Sequence, residues 1–222
     1  MGSDAKAGRD KIGWPTEKTA PEVDESAVSD VHFELRGKRI PVDHGYALFN
    51  ELARLLPWLA HEELAGIHPI HGSDSGTGHL LLNRRTRLVI RIRRERLDEL
   101  LGLSGRQIEV AGNPLTIGSG KAKALTHHTP LYAHLVTTGS QDERTFTQDV
   151  MHLLDALTIE TRFLCGKQQT LTTADGVITG YSLMLHGMPV EHAIQVQQLG
   201  LGDNRKLGCG IFIPHKSINA LV

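Results

Sequence analysis

Residues 131–199 read LYAHLVTTGS QDERTFTQDV MHLLDALTIE TRFLCGKQQT LTTADGVITG YSLMLHGMPV EHAIQVQQL. Two apolar periodicities alternate along this segment. Leu131–Val136 alternates apolar and polar residues, as a strand does. Ser140 followed three residues later by Glu143 is a capping-box signal for a helix whose apolar face is Phe146, Val150, Leu153, Leu154 and Leu157. Residues 162–171 and 177–185 flank the turn Ala174-Asp175-Gly176 and predict a hairpin. A helix follows over 189–199, with Pro189 at a tolerated first-turn position, and after a glycine-rich loop residues 210–213 form a last strand. The order is βαββαβ.

Working outward, the same order precedes it. Val31, Phe33 and Leu35 alternate, Gly37-Lys38 turns, and Ile40 and Val42 resume the pattern of one kinked strand. Asp43 is a candidate N-cap for a helix over 44–56, with Leu48, Phe49, Leu52, Leu55 and Leu56 on one face and Pro57 as its stop. Two strands are expected at 65–71 and 79–94, separated by the Gly/Ser-rich turn 72–78, then a short helix at 95–101 and a strand pair over 107–117 broken at Gly112-Asn113. Residues 121–130 read as a loop. The chain is therefore expected to be α+β, two tandem ferredoxin-like (RRM-like) βαββαβ domains at 30–124 and 125–222. Residues 1–29 lack apolar periodicity and read as a flexible leader.

Composition bounds the function. In 222 residues, 40% are apolar and 22% charged, ordinary globular usage, and no apolar run approaches the roughly 18 residues of a membrane helix. With no signal peptide pattern and only Cys165 and Cys209, the expectation is a cytoplasmic protein with reduced thiols, no disulfide scaffold, no zinc site and no membrane partner. The net charge of −1 conceals seven arginines between Arg84 and Arg96, where a polyanion can be gripped locally. Arg87, Arg91 and Arg93 fall on one face by alternation, and with Arg84 and Arg85 they are candidate RNA-binding residues, weighed against a solvated strand face balanced by Glu95, Asp98 and Glu99. Only 5% of residues are aromatic, which favours recognition of a stem's backbone over base stacking.

The densest local signal is Gly200-Leu201-Gly202-Asp203-Asn204-Arg205-Lys206-Leu207-Gly208-Cys209-Gly210-Ile211-Phe212. Gly200, Gly202, Gly208 and Gly210 permit positive φ and close backbone approach to a phosphate, with Arg205 and Lys206 at the crown supplying charge. The loop follows a helix and precedes a strand, so it is neither a dinucleotide fingerprint nor a Walker loop. A tight helix-to-strand turn needs only one or two of these glycines.

This G-x-G, five residues, G-x-G pattern near the C-terminus resembles that of the RAMP superfamily, the repeat-associated RNA-processing proteins of CRISPR systems. Leu35–Arg39, Pro41–Leu48 and Gly66–Ile70 are similar to a compact subtype of its precursor-CRISPR-RNA endoribonuclease. The resemblance covers roughly residues 31–215. It implies that His44, at the strand-to-helix junction, is the general base/acid, and that Tyr46 is an orienting or proton-sharing group. On the residues alone, His44 is a helix-start histidine beside free N–H groups. The implied reaction is attack of a ribose 2′-OH on the adjacent phosphorus, giving a 2′,3′-cyclic phosphate and a 5′-OH, with no metal and no cofactor. The sequence contains no H-E-x-x-H, no C-x-x-C and no paired-metal carboxylate cluster. His68, His71, His127 and His128 read as surface or strand histidines.

The expected partner is CRISPR repeat RNA, as a stem-loop, with CRISPR effector subunits as further partners. Two alternatives stand beside this reading. One is a non-catalytic RNA-binding RAMP subunit of an effector complex. The other is a two-histidine phosphoesterase, formally matched by His71-Gly72-Ser73 and His127-His128-Thr129 but expected by chance among 13 histidines.

Overall fold

A computed structural model describes residues 24–215. Its first unit comprises strands β1 (Val28–Arg36), β2 (Arg39–Pro41), β3 (Gly66–Ile67), β4 (Ser73–Asp74), β5 (His79–Leu81), β6 (Arg87–Arg93), β7 (Gln107–Val110) and β8 (Asn113–Ala124), with helices α1 (Gly45–Leu55) and α2 (Leu97–Leu101). The second contains β9 (Leu131–Val136), α3 (Glu143–Ala156), β10 (Arg162–Thr173), β11 (Gly176–His186), α4 (Glu191–Leu199) and β12 (Ile213–Pro214). The sheet orders are β3-β6-β1-β8-β7 and β10-β11-β9-β12. In each, the first strand lies between the third and fourth strands of its βαββαβ unit, the ferredoxin-like arrangement expected from the order of elements. β7 adds a hairpin edge to the first sheet.

Alternation sorts each strand. Val31, Phe33 and Leu35 of β1 and Leu88, Ile90 and Ile92 of β6 enter one core with Leu48 and Leu52 of α1. Leu131, Ala133, Phe146, Val150, Leu183 and Phe212 form a second. The opposite faces of β1 and β6 carry Asp30, His32, Val89 and Arg91, which point between the two units. A small cluster of Val28, Leu125 and Ile194 joins the units.

Several local expectations need correction. The kinked strand is two strands in different sheets, because β2 pairs with β5 in a separate three-stranded sheet β2-β5-β4. The long segment 79–94 is likewise broken, with Thr86 N–H bonded to the Asn83 carbonyl at 3.0 Å in the turn between β5 and β6. β8 continues to Ala124 through what reads as loop, since its tail pairs with β1 from Ser29 to Phe33. His44, not Asp43, is the N-cap position of α1; the Asp43 carboxylate instead accepts the Thr172 N–H at 2.9 Å, tying α1 to β10. Asp142 rather than Ser140 caps α3, accepting Thr145 N–H at 3.0 Å, while the Ser140 hydroxyl donates to Asp149. The leader expected over 1–29 overlaps β1 at Val28 and Ser29, and Asp24 already binds Gln198 through its carbonyl; the rest of it, residues 1–23, lies outside the described residues. Among the described residues no helix is long and apolar enough to cross a membrane.

Candidate active site

The units meet along a cleft with two cavities, of about 460 and 280 Å³. The larger is lined by Asp30, His32, Arg85, Arg87 and Lys123 of the first unit and by Tyr132, Ile213 and Pro214 of the second. The smaller lies beside the start of α1, with Asp43, His44 and Gly45 against Gln169, Thr170 and Leu171 of β10. Pro69, His71 and His134 line both, so the two histidines stand at the junction. His71 comes from the segment after β3, His134 from the outward face of β9.

His44 is at the strand-to-helix position expected, but its ring faces inward and is only 5% exposed. Nδ1 lies 2.9 Å from the carbonyl oxygens of Pro41 and of Val42, and Nε2 accepts the Ile70 N–H at 3.0 Å. Carbonyls only accept and Ile70 only donates, so the proton sits on Nδ1 and the Nε2 lone pair is occupied. Burial pushes the ring's pKa below the usual histidine value, with the two carbonyls opposing and the charge of nearby His71 adding to the shift. The ring is thus neutral, and its basic nitrogen holds the backbone next to His71. Tyr46 does not join it. Two residues along a helix point to different sides, and Tyr46 lines another cavity with Phe49, Asp203 and Lys206.

The glycine loop is also placed differently from its expected role. All four glycines have positive φ, between 64° and 99°. The loop, however, packs on the first unit: a Cβ on Gly45 would collide with the Leu207 carbonyl, and one on Gly208 would press on Pro69 at 3.3 Å. The crown cations meet carbonyls, and both also border the cavity that Tyr46 lines. Arg205 Nη1 donates to Gln198 O at 2.7 Å and Leu199 O at 2.5 Å, capping α4, while its Nε and Nη2 are sealed from solvent. Lys206 Nζ donates to Ala60 O at 2.6 Å. Burial and the neighbouring Arg91 lower Arg205 to about 10. The loop is therefore a domain-docking element.

The arginine segment divides. Arg91 is fully buried and donates to both Asp30 oxygens and to Gln197 O and Phe212 O, so it joins the units rather than binding a ligand. Arg93 pairs with Glu62 at 3.0 Å. Arg84, Arg85 and Arg87 are exposed, and the last two reach the larger cavity with Lys123.

Further histidines belong to the cleft. His68 is buried, 3.3 Å from Asp30, and lowered by burial against the pull of that carboxylate. His32 is lowered by burial and by Lys123. His134 is lowered by burial and then by His71. His32, Tyr132 and His134 escape sequence reading, although the available signal is plain: His32 and His134 occupy outward positions in the first strand of each unit. His127 binds Glu25 at 3.0 Å, and neither it nor His128 lines the cleft, so the two H-x-[ST]-like triplets are not brought together. Among the described residues no three His, Cys, Asp or Glu side chains are grouped to hold a metal ion.

A family model described as "Cas6 Crispr" matches residues 29–217. A Myxococcus xanthus (strain DK1622) protein named CRISPR-associated endonuclease Cas6 is 33% identical over 186 residues, 83% of this chain and 80% of that protein. A solved structure named CRISPR associated protein Cas6 superposes with a TM-score of 0.63 at 10% identity, covering 85% of this chain and all of the other. One described as a Cas6-related gene product from Pyrococcus furiosus gives 0.58 at 13% identity, covering 84% and 98%. At such identities the structural likeness concerns the fold, tandem ferredoxin-like units, and agrees with the sheet orders above.

Proposed function

The chain belongs to the Cas6 family, and from that premise we propose that it is an endoribonuclease that binds CRISPR repeat RNA and cuts precursor CRISPR RNA into guide units. The observation that carries this reading is the 33% identity, over most of both chains, to a relative named an endonuclease. The cleft supports this reading. Arg85, Arg87 and Lys123 offer charge to phosphates, and histidines, whose intrinsic pKa of about 6.5 suits proton transfer near neutrality, line its junction.

The reaction we propose is metal-independent. A base takes the proton of the ribose 2′-OH, the oxygen attacks the adjacent phosphorus, and the 5′-oxygen leaves with a proton, yielding 2′,3′-cyclic phosphate and 5′-OH ends. Proton transfer of this kind is worth about 10²–10⁴ in rate, and alignment in the cleft contributes further. His44 borders the smaller cavity and accepts the Ile70 N–H through Nε2.

The test is incubation with the repeat RNA of the protein's own genomic array in EDTA. A single cut leaving a cyclic phosphate is expected, and a 2′-deoxy substitution upstream of the scissile phosphate should abolish cutting while leaving affinity unchanged. Tight binding without cutting in any buffer would instead identify a non-catalytic RNA-binding subunit. Cutting that requires Mg²⁺ and survives the deoxy substitution would replace the proposed chemistry.

A further inference from the structure

Arg85, Arg87 and Lys123 face the larger cavity, but no lysine or arginine lines the smaller one. Its one carboxylate, Asp43, is taken by the Thr172 N–H at 2.9 Å, and both ring nitrogens of His44 are already bonded. Phosphates are therefore drawn to the first cavity, and the second suits a neutral group that brings its own hydrogen bonds. At about 280 Å³ it falls just below the roughly 300–1,000 Å³ of pockets for drug-sized ligands, which fits a single base.

One side chain in it is equipped for such a group. Gln169 lies two residues before Leu171 in β10, so the two share a face. That face is turned to the start of α1, because a Cβ on Gly45 would come within 2.9 Å of Leu171 Cδ1. From Gln168 to Thr173 the pairing with β11 is unbroken, and the residue opposite Gln169 is Gly180, which has no side chain to cover it. Gln169 is half-buried, and its carboxamide has no hydrogen-bond partner among the described residues. The bond from Thr172 to Asp43 fixes this stretch of β10 against α1, across the boundary between the units.

We propose that the smaller cavity is a base-reading subsite in which the Gln169 carboxamide hydrogen-bonds the edge of an unpaired adenine, with Asp43 the residue that positions β10 for it. A carboxamide offers a donor beside an acceptor and is met by the same pair in reverse. Adenine presents N6–H beside N1 on its Watson–Crick edge and beside N7 on its Hoogsteen edge, and no other base presents such a pair on both. The phosphates that follow fall on Arg85, Arg87 and Lys123. The inference rests on the ribonuclease reading above only in placing that adenine next to the cut.

The experiment replaces each unpaired nucleotide of the array's repeat RNA in turn by the other three and measures affinity and single-turnover cleavage for every RNA. The unaltered protein is expected to lose about ten- to hundredfold when one adenine next to the cut is exchanged, the discrimination of a bidentate base contact. Gln169→Ala should accept all four bases there within about threefold and leave every other position as before. Gln169→Glu should turn the preference toward guanine, because a carboxylate only accepts and guanine's N1–H and N2–H are adjacent donors. Asp43→Ala should weaken the discrimination, and Asp43→Asn, which keeps an oxygen acceptor for the Thr172 N–H, should restore it. The subsite is overturned if the unaltered protein shows no such position, if Gln169→Ala keeps the discrimination, or if Gln169→Glu still prefers adenine. Full discrimination in Asp43→Ala would remove Asp43 from the assignment. Discrimination in affinity without any cutting would sustain the subsite and defeat the ribonuclease reading instead.

Discussion

The Arg91 guanidinium grips both carboxylate oxygens of Asp30, Nε at 2.7 Å and Nη2 at 2.9 Å, with no part of its side chain exposed. The remaining nitrogen, Nη1, donates to Gln197 O at 2.6 Å and Phe212 O at 3.1 Å, so one side chain spans both units. Burial alone would raise the Asp30 carboxyl; the charge and hydrogen bonds of Arg91, aided by His68, hold it well below the usual carboxylate range.

Arg91→Ala is therefore expected to destabilise the protein by about 3–5 kcal/mol, the typical cost of stranding one partner of a buried pair. Arg91→Lys should recover little, because an ammonium lacks the fork that meets a carboxylate and two carbonyls together. Urea midpoints of the two variants check this. A loss under 1 kcal/mol for Arg91→Ala would show that the docking does not depend on it.

Stability should fall on mild acidification. Burial lowers both His44 and His68 in the folded chain below the unfolded value of about 6.5. Below that pH the unfolded chain binds protons that the folded one does not, so unfolding gains as pH drops toward the folded values. The slope reaches at most about 1.4 kcal/mol per pH unit for each histidine. Unfolding curves at pH 7.5 and 5.5 should differ accordingly, and His44→Gln should flatten the dependence. Equal stability at the two pH values would contradict the burial of neutral rings.

Arg85 and Arg87 reach the cleft, whereas the sealed Arg205 caps a helix. Arg85→Ala combined with Arg87→Ala is expected to reduce the slope of log affinity against log salt for repeat RNA by about 1–2, one counterion-release step per lost phosphate contact. Arg205→Ala should leave that slope unchanged and lower the melting temperature. A shallower slope for folded Arg205→Ala would return the loop to phosphate binding.

Gly202 has φ +72°, and a Cβ there would collide with the Thr137 carbonyl, which also accepts the Asp203 N–H at 2.8 Å. Gly202→Val is expected to cost about 2 kcal/mol or more, combining left-handed strain with overpacking. Gly139, with φ +86° and open space around its Cβ position, is the control and should lose only the strain, about 1 kcal/mol. Equal losses at the two glycines would mean that close approach contributes nothing.

The order of elements and their inward faces are legible in the residues alone. Alternation in Val31, Phe33 and Leu35 and 3.6-residue spacing in Leu48 and Leu52 are local consequences of burying one face, so they are written in one dimension. The turn at Ala174-Asp175 and the positive φ of the loop glycines are likewise set by residue type. Family membership was legible for a similar reason, because its motifs are contiguous. Partnership across the chain was not. That Asp43 serves Thr172 instead of α1, that Arg91 faces Gln197 and Phe212 instead of a phosphate, and that Lys206 ends on the Ala60 carbonyl depend on how the two units dock. Packing within the first unit sets His44 against Ile70, and the docking brings His71, some 60 residues from His134, to the junction of one cleft. Residue type states what a side chain can bond; the docked fold decides which buried donor or carbonyl reaches it first, since most such groups find a partner.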